Sequence, residues 1–343
     1  MLTLSKLKYD LKSILRILSL IIGVVIFIFV LFKIGSFVKE VISPTPPASP
    51  DVKFGILPEL AFPKSVTGKI PTYRIDTLSG RLPTFYHLAK VYTMERPKAD
   101  LLALDRANNR AKAIGFNKPG RKTADKLYEW KNDAGRTFSL NLLTSDFLLK
   151  SDLSTDSAGF IDESSETEAI NKATSFLNNL DLLRDDIDTE KTTTYLYSFK
   201  NESLVDATSL SNTQAIKVYF FQKDVEDLPV YYPDGRSTMS VLITSDKRRM
   251  DISGAEFFYQ TPDLNRKTTY SIKTSTEAFE ELKKGKAYIA SHNPLDLEIL
   301  IKNLYLGYYI GQEKQDYLMP IYVFEGNNFL AYVSAIRDEW ISN

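Results

Sequence analysis

Between Ile17 and Phe32 the chain runs for sixteen residues without a charge, and only Ser19 and Gly23 interrupt the large apolar side chains. No other stretch restricts the fold as much, because so long an apolar run has few places to go. After Lys33 the mostly apolar character resumes through Val38. As a helix, the ~22 positions from Ile17 to Val38 would reach about 33 Å, against a bilayer core of roughly 30 Å. The run is therefore read as a transmembrane helix over residues 14–38, with Ile17, Ser19, Ile21, Gly23, Val25, Ile28 and Phe32 in the span. Lys33 sits near one end, where its stem can carry the charge to the headgroups. Two alternatives are a buried helix of a soluble protein and a cleaved signal peptide. The latter usually has an apolar region of about 7–15 residues and a small-x-small cleavage site, whereas Ser43-Pro44-Thr45-Pro46-Pro47 follows here.

Charge sets the expected orientation. Residues 1–13 form a short tail, and up to Arg16 the chain carries Lys6, Lys8, Lys12 and Arg16 against Asp10 alone. Basic flanks stay inside, so the N-terminus is expected in the cytoplasm and the bulk of the chain outside, at the plasma membrane. Residues 39–52 form a linker with four prolines between Ser43 and Pro50. Such a segment is extended and semi-stiff, with a reach of ~25 Å over eight residues. The sequence has no cysteine, which excludes disulfides, thiolate metal sites and a cysteine nucleophile. Formal net charge is +0, so nucleic acid is not an expected partner. The basic runs Lys118–Lys122 and Lys247-Arg248-Arg249 are read as solvated turns. Taken together these features suit a bacterial envelope protein, with the membrane and another membrane or envelope protein as the expected partners.

Beyond the linker, three stretches each read as a helix plus antiparallel strands: residues 53–163, 164–272 and 273–343. Leu101, Leu104, Ala107, Ala111 and Ile114 stripe one helix over Asp100–Ile114, with Gly115 closing it. Ala169, Ile170, Ala173, Phe176, Leu177 and Leu180 stripe a second over Glu166–Leu183, opened by Ser165 and Glu168 as a capping box. A third runs over Ser275–Lys284, opened by Thr274 and Glu277, with Ala278, Phe279 and Leu282 inward. The tripeptide Thr-Glu-Ala recurs at Thr167 and Thr276, which suggests a duplicated unit. Strands are read at Ile216–Phe221, Met239–Ile243, Ile252–Tyr259, Met319–Glu325 and Phe329–Ile336, separated by turns such as Pro233-Asp234-Gly235 and Gly326-Asn327-Asn328. A further hairpin spans Leu127–Trp130 and Thr137–Leu143. The expected fold class is α+β, an N-terminal transmembrane helix followed by repeated helix-plus-antiparallel-sheet modules.

The aromatic strands Leu228-Pro229-Val230-Tyr231, Leu304-Tyr305-Leu306-Gly307-Tyr308-Tyr309 and Leu318-Met319-Pro320-Ile321-Tyr322-Val323-Phe324 carry a likeness. Together with the Thr-Glu-Ala helices and the apolar N-terminus, this texture resembles the YycH/YycI family and, more broadly, PepSY-like α+β modules. The resemblance implies a membrane-anchored regulator that adjusts a sensor histidine kinase governing cell-wall metabolism. It covers the anchor and roughly residues 164–336.

Chemistry-bearing motifs are sparse. His87 reads as a structural imidazole and His292 as a loop residue, with no third donor to make a zinc site or a Ser-His-Asp arrangement. No phosphate-cradling loop, dinucleotide fingerprint or Gly-x-Ser-x-Gly is present. Asp185, Asp186 and Asp188 read as a solvated loop without the spacing of a calcium site. A paired-carboxylate hydrolase stays open, since spacing in sequence does not reveal spacing in space. The expectation is no catalytic, cofactor-binding or metal residues, and a protein that acts by contact. Ser19 and Gly23 would offer a small-xxx-small helix face. In the alternative, a wall- or peptide-binding module without catalysis, Tyr231, Tyr232, Tyr308 and Tyr309 are the candidate contacts; the reading that competes with this is strand packing.

Overall fold

Alternation of two, not a helical period, governs most of the chain after Pro50. The computed structural model describes residues 18, 22–33, 48–64, 71–98, 100–151, 164–200, 203–246 and 249–342. The chain divides into two units, residues 1–49 and 50–343. In the first, a helix α1 covers residues 22–33.

The expected span over 14–38 is corrected, and with it the plasma-membrane placement. Among the described residues no helix is long and apolar enough to cross a membrane. Gly23, Val25, Ile28 and Phe32 lie on α1, while Ile17, Ser19 and Ile21 lie outside the described residues.

The second unit is built mainly from strands. β1 (Thr72–Ile75), β2 (Leu88–Met94), β10 (Val230–Tyr231), β13 (Pro262–Ser271), β14 (Tyr288–Ser291), β15 (Glu298–Tyr309), β16 (Tyr317–Gly326) and β17 (Phe329–Ser334) form an eight-stranded sheet. β3 (Arg121–Ala124), β4 (Leu127–Lys131), β5 (Thr137–Asn141), β6 (Phe147–Lys150), β12 (Arg249–Phe257), β11 (Met239–Asp246), β9 (Ala215–Gln222), β7 (Ile187–Lys200) and β8 (Ser203–Asp206) form a nine-stranded sheet in that order. Three helices cover them: α2 (Ala103–Ala113), α3 (Ser164–Asn179) and α4 (Ser275–Lys283). The expected set of PepSY-like α+β modules is therefore corrected to a mostly β architecture with two large sheets. The physical reason is long-range pairing: β6 joins β12 antiparallel, and β2 joins both β13 and β16, so strands from all three stretches share sheets.

Local chemistry explains the individual elements. Thr274 caps α4 through Glu277 N–H, and the Glu277 carboxylate accepts from Thr274 N–H, a complete capping box. β16 is buried at every position from Leu318 to Phe324, as expected of an interior strand with both faces covered. One core packs α2 and α3 against the nine-stranded sheet around Trp130, Phe138, Phe147, Phe176, Phe220 and Phe257. A second packs α4 and the extended lead-in after Pro50 against the other sheet, around Tyr322, Phe324 and Tyr332. Tyr92 and Tyr308 join the first core from the eight-stranded sheet, edge to face at 5.7 Å.

The sheets are also tied by the chain itself. After β9, Val225 and Leu228 exchange backbone hydrogen bonds across Glu226 and Asp227, both at positive φ (48° and 67°). Two adjacent non-glycine residues there need outside support, and the Glu226 carboxylate has it in ion pairs with Lys90 of β2 and Lys267 of β13. The chain then runs along β15 as β10, in parallel, before Pro233–Gly235 returns it to β11.

Candidate functional site: a cleft where five connections meet

Five connections from both sheets converge on a cleft of about 550 Å³. They are the stretch after β2 (Glu95–Lys98), the β5–β6 turn (Leu143–Asp146), the α3–β7 loop (Arg184–Asp186), the β12–β13 link (Phe258–Thr261) and the β15–β16 loop. Ligands gather where connections rather than strands supply the lining, because loops can vary while the sheets hold them in place.

Each wall has a local cause. Asn141 accepts hydrogen bonds from Leu143 N–H (2.9 Å) and Thr144 N–H (3.3 Å), which folds the β5–β6 turn and sets Ser145 at φ 64°. Gln260 fixes the opposite wall. Its Nε2 donates to the carbonyls of Gly311 (3.1 Å) and Glu313 (2.9 Å), and its Oε1 accepts from Gln315 N–H (2.8 Å). Gln315 Oε1 in turn accepts from Gly311 N–H at 2.8 Å. Side-chain amides thus replace the regular ladder where β15 turns into β16.

Four carboxylates line the cleft, those of Glu95, Asp146, Asp185 and Asp186, and Tyr259 holds two of them. Asp146 accepts from Tyr259 N–H at 3.1 Å, and Asp186 accepts from the Tyr259 hydroxyl at 2.5 Å. Asp186 also accepts from Gln222 Nε2 at 2.9 Å. Burial pushes the Asp146 carboxyl up from its ordinary value, opposed by the Thr144 and Tyr259 hydrogen bonds and by the charge of Lys314. Burial, and after it the bond to Asp186, pushes the Tyr259 phenol up.

The cations behave differently. Among the described residues Lys98, Arg184 and Lys314 line the cleft without an ion pair, while Arg96 lies 3.5 Å from Asp316. Asp146 and Asp186 are satisfied by neutral donors, while Glu95 and Asp185 line the same cleft as these cations.

The four tyrosines singled out from sequence lie elsewhere. Tyr232, Tyr308 and Tyr309 are buried, and Tyr231 is half-buried between β10 and its neighbours. Tyr232 O–H donates to Gln222 Oε1 (3.2 Å), the same side chain that holds Asp186, so it backs the cleft from inside without reaching it. Tyr308 O–H donates to the Lys90 carbonyl at 3.2 Å. Of the acids read as a solvated loop, Asp185 and Asp186 line the cleft. Asp146, Tyr259, Gln260 and Lys314 carried no local signal, because nothing in sequence brings residues 146, 186, 259 and 314 together.

Neither histidine lines the cleft. His292 Nε2 lies 3.1 Å from the Asp296 carbonyl, and among the described residues no group of three His, Asp or Glu is placed to hold a metal ion.

No protein-family model matches the chain, and no curated protein does. Among solved structures, an uncharacterized protein from Eubacterium rectale ATCC 33656 is similar over 76% of this chain and 85% of its own. It does so at 15% identity with a TM-score of 0.40, too distant to support any inference.

Proposed function

We propose that the chain is a binding protein that works by contact, taking a short carboxylate-bearing peptide into the cleft without chemical turnover. One observation carries the reading: among the described residues Lys98, Arg184 and Lys314 line the cleft, beside Glu95 and Asp185, without forming an ion pair, while Asp146 and Asp186 are occupied by Tyr259 and Gln222. A ligand carboxylate meeting Arg184 or Lys314 would gain charge-assisted hydrogen bonds without displacing an internal pair. The exposed Gln312 carboxamide and Tyr259 suit a peptide backbone. The resemblance to YycH/YycI regulators favours a regulatory use, in which the filled cleft alters the loops that a protein partner meets.

Equilibrium dialysis with a tetrapeptide mixture, free or amidated at the C-terminus, tests the reading. Retention of the free-acid peptides is expected, with loss in R184E/K314E and no loss in K284E, an exposed lysine outside the cleft lining. Equal retention of amidated peptides, or full retention by R184E/K314E, would overturn it.

One further observation favours a second reading. Asp146, its carboxyl pushed up by burial, and Asp186, which accepts from Tyr259 and Gln222, are two carboxylates in unlike surroundings, as the acid and base of hydrolases are. On that reading D146N would abolish turnover of a glycan or peptide; on the first it only alters affinity.

A further inference from the structure

The extended lead-in of the second unit does two different things on either side of Leu57. Up to that residue it is bound by its backbone. Asp51 and Val52 N–H both donate to the Thr269 carbonyl at 3.1 Å, Leu57 N–H donates to Trp340 O (2.8 Å), and Ser342 N–H donates to Leu57 O (2.8 Å). Among the described residues the next backbone bond to the body comes at Thr72, whose N–H donates to Leu297 O at 2.9 Å. Among the described residues, 58–64 make a single internal bond, Phe62 N–H to Leu60 O at 2.9 Å. Pro58, Glu59, Ala61, Pro63 and Lys64 are exposed. Two side chains alone hold this strap down, Leu60 and Phe62.

Beneath Phe62 lies a nest of tyrosine rings. Phe62 stacks on Tyr288 (5.4 Å between centroids, 11° between planes) and meets Tyr309 edge-on at 4.8 Å, with Tyr332 at 6.5 Å. The nest holds its shape through its own contacts. Tyr332 is 5.9 Å from each of Tyr231, Tyr288 and Tyr309. Tyr288 O–H donates to Asp234 Oδ1 (3.0 Å), and Tyr332 O–H donates to the Tyr232 carbonyl (3.0 Å). The Tyr309 hydroxyl is fully buried and has no hydrogen-bond partner. Native interiors rarely leave such a group unpaired, and a phenylalanine above it has no polar atom to offer.

A rigid ring nest covered by a side chain on a loosely held, proline-flanked strap has the form of a recognition groove filled from within. Aromatic-lined grooves take extended, proline-bearing peptides because such segments are already ordered before they bind. The strap carries that pattern in Leu60-Ala61-Phe62-Pro63. We propose that the Tyr288–Tyr309–Tyr332 nest is a docking socket for an extended partner peptide with an aromatic residue followed by proline, and that Phe62 occupies it in cis as an inhibitory plug. The socket is separate from the charged cleft and does not depend on what the cleft binds. A partner peptide must displace Leu60 and Phe62, so its apparent affinity is reduced by the fraction of time the strap is closed.

The probe is a fluorescent, end-capped peptide copying residues 57–64, followed by anisotropy with the full chain and with L60A/F62A. The double variant is expected to bind it saturably and at least ~10-fold more tightly than the wild type does. The same peptide with alanine in place of Phe62 should not bind. Equal binding by wild type and L60A/F62A, or no binding by a double variant whose melting curve matches the wild type, would overturn the proposal. Hydrogen exchange on the unaltered protein gives an independent reading. Amides 59–62 should exchange at least ~100-fold faster than Leu57 and Thr72, as a segment that opens locally does; protection equal to those flanks would also overturn it.

Discussion

Gly307 lies where β10 and the residue before it press closely on β15. It lies on β15 opposite Ile321 of β16, with β10 running beside it. A methyl group at this position would stand 2.5 Å from Tyr231 Cε2 and 2.7 Å from the Pro229 carbonyl oxygen. The ring can swing only within the tyrosine nest, and the carbonyl is fixed because it accepts from Tyr308 N–H at 2.8 Å. Overpacking in such a place costs about 1–3 kcal/mol, and weakening the Pro229–Tyr308 bond adds about 1 kcal/mol. Alanine recovers roughly 0.5–1 kcal/mol as the better strand residue. G307A should therefore lose about 1–3 kcal/mol, a fall in Tm of several degrees at roughly 2–4 °C per kcal/mol for a domain this large. Urea unfolding followed by tryptophan fluorescence measures it, with an unchanged slope showing that stability alone has moved. A loss below about 0.5 kcal/mol, within the range of an ordinary surface change, would refute the idea that β10 is clamped against β15.

Other consequences are equally open to test. The Lys267 and Lys90 partners hold Glu226 down to about 2 from 4.5, so its contribution to stability is full above pH 4.5 and is lost as pH falls through about 2. The side chain is 38% exposed and screened, so E226Q should cost less than about 1 kcal/mol at pH 7 and nothing at pH below 2, as read from denaturant midpoints. K273A should cost about 3 kcal/mol, since the buried ammonium pairs with Glu281 (3.0 Å) and Asp338 (2.8 Å) and its removal strands the enclosed Glu281 carboxylate. T274A removes the α4 cap and should cost about 1 kcal/mol by the same assay.

What could be read in the sequence was what is local. The α4 capping box, the β4–β5 hairpin and the β16–β17 hairpin follow from alternation and turn chemistry within about twenty residues, and all three are present. Ser164 is already helical, so Ser165 lies inside α3 rather than ahead of it. β7 gave no clear signal, because its exposed Thr189, Glu190, Lys191 and Thr193 bury little. The grouping of strands was hidden for a different reason. Thr72 pairs with Glu298 and Phe147 with Phe257, and no local pattern encodes partners so far apart. Tyr308 and Tyr309 read equally well as contacts or as core until β10 and the lead-in were seen to cover them. The cleft was the least legible feature, since its lining comes from five separate connections.

The most direct test of the central claim is amide hydrogen exchange on the whole chain, with and without the free-acid tetrapeptide mixture. The account predicts slowed exchange confined to the cleft walls, at residues 143–146, 258–261 and 311–315, and no change with the amidated mixture. Unchanged exchange at those walls, or protection appearing instead on an edge strand such as β8, would contradict it.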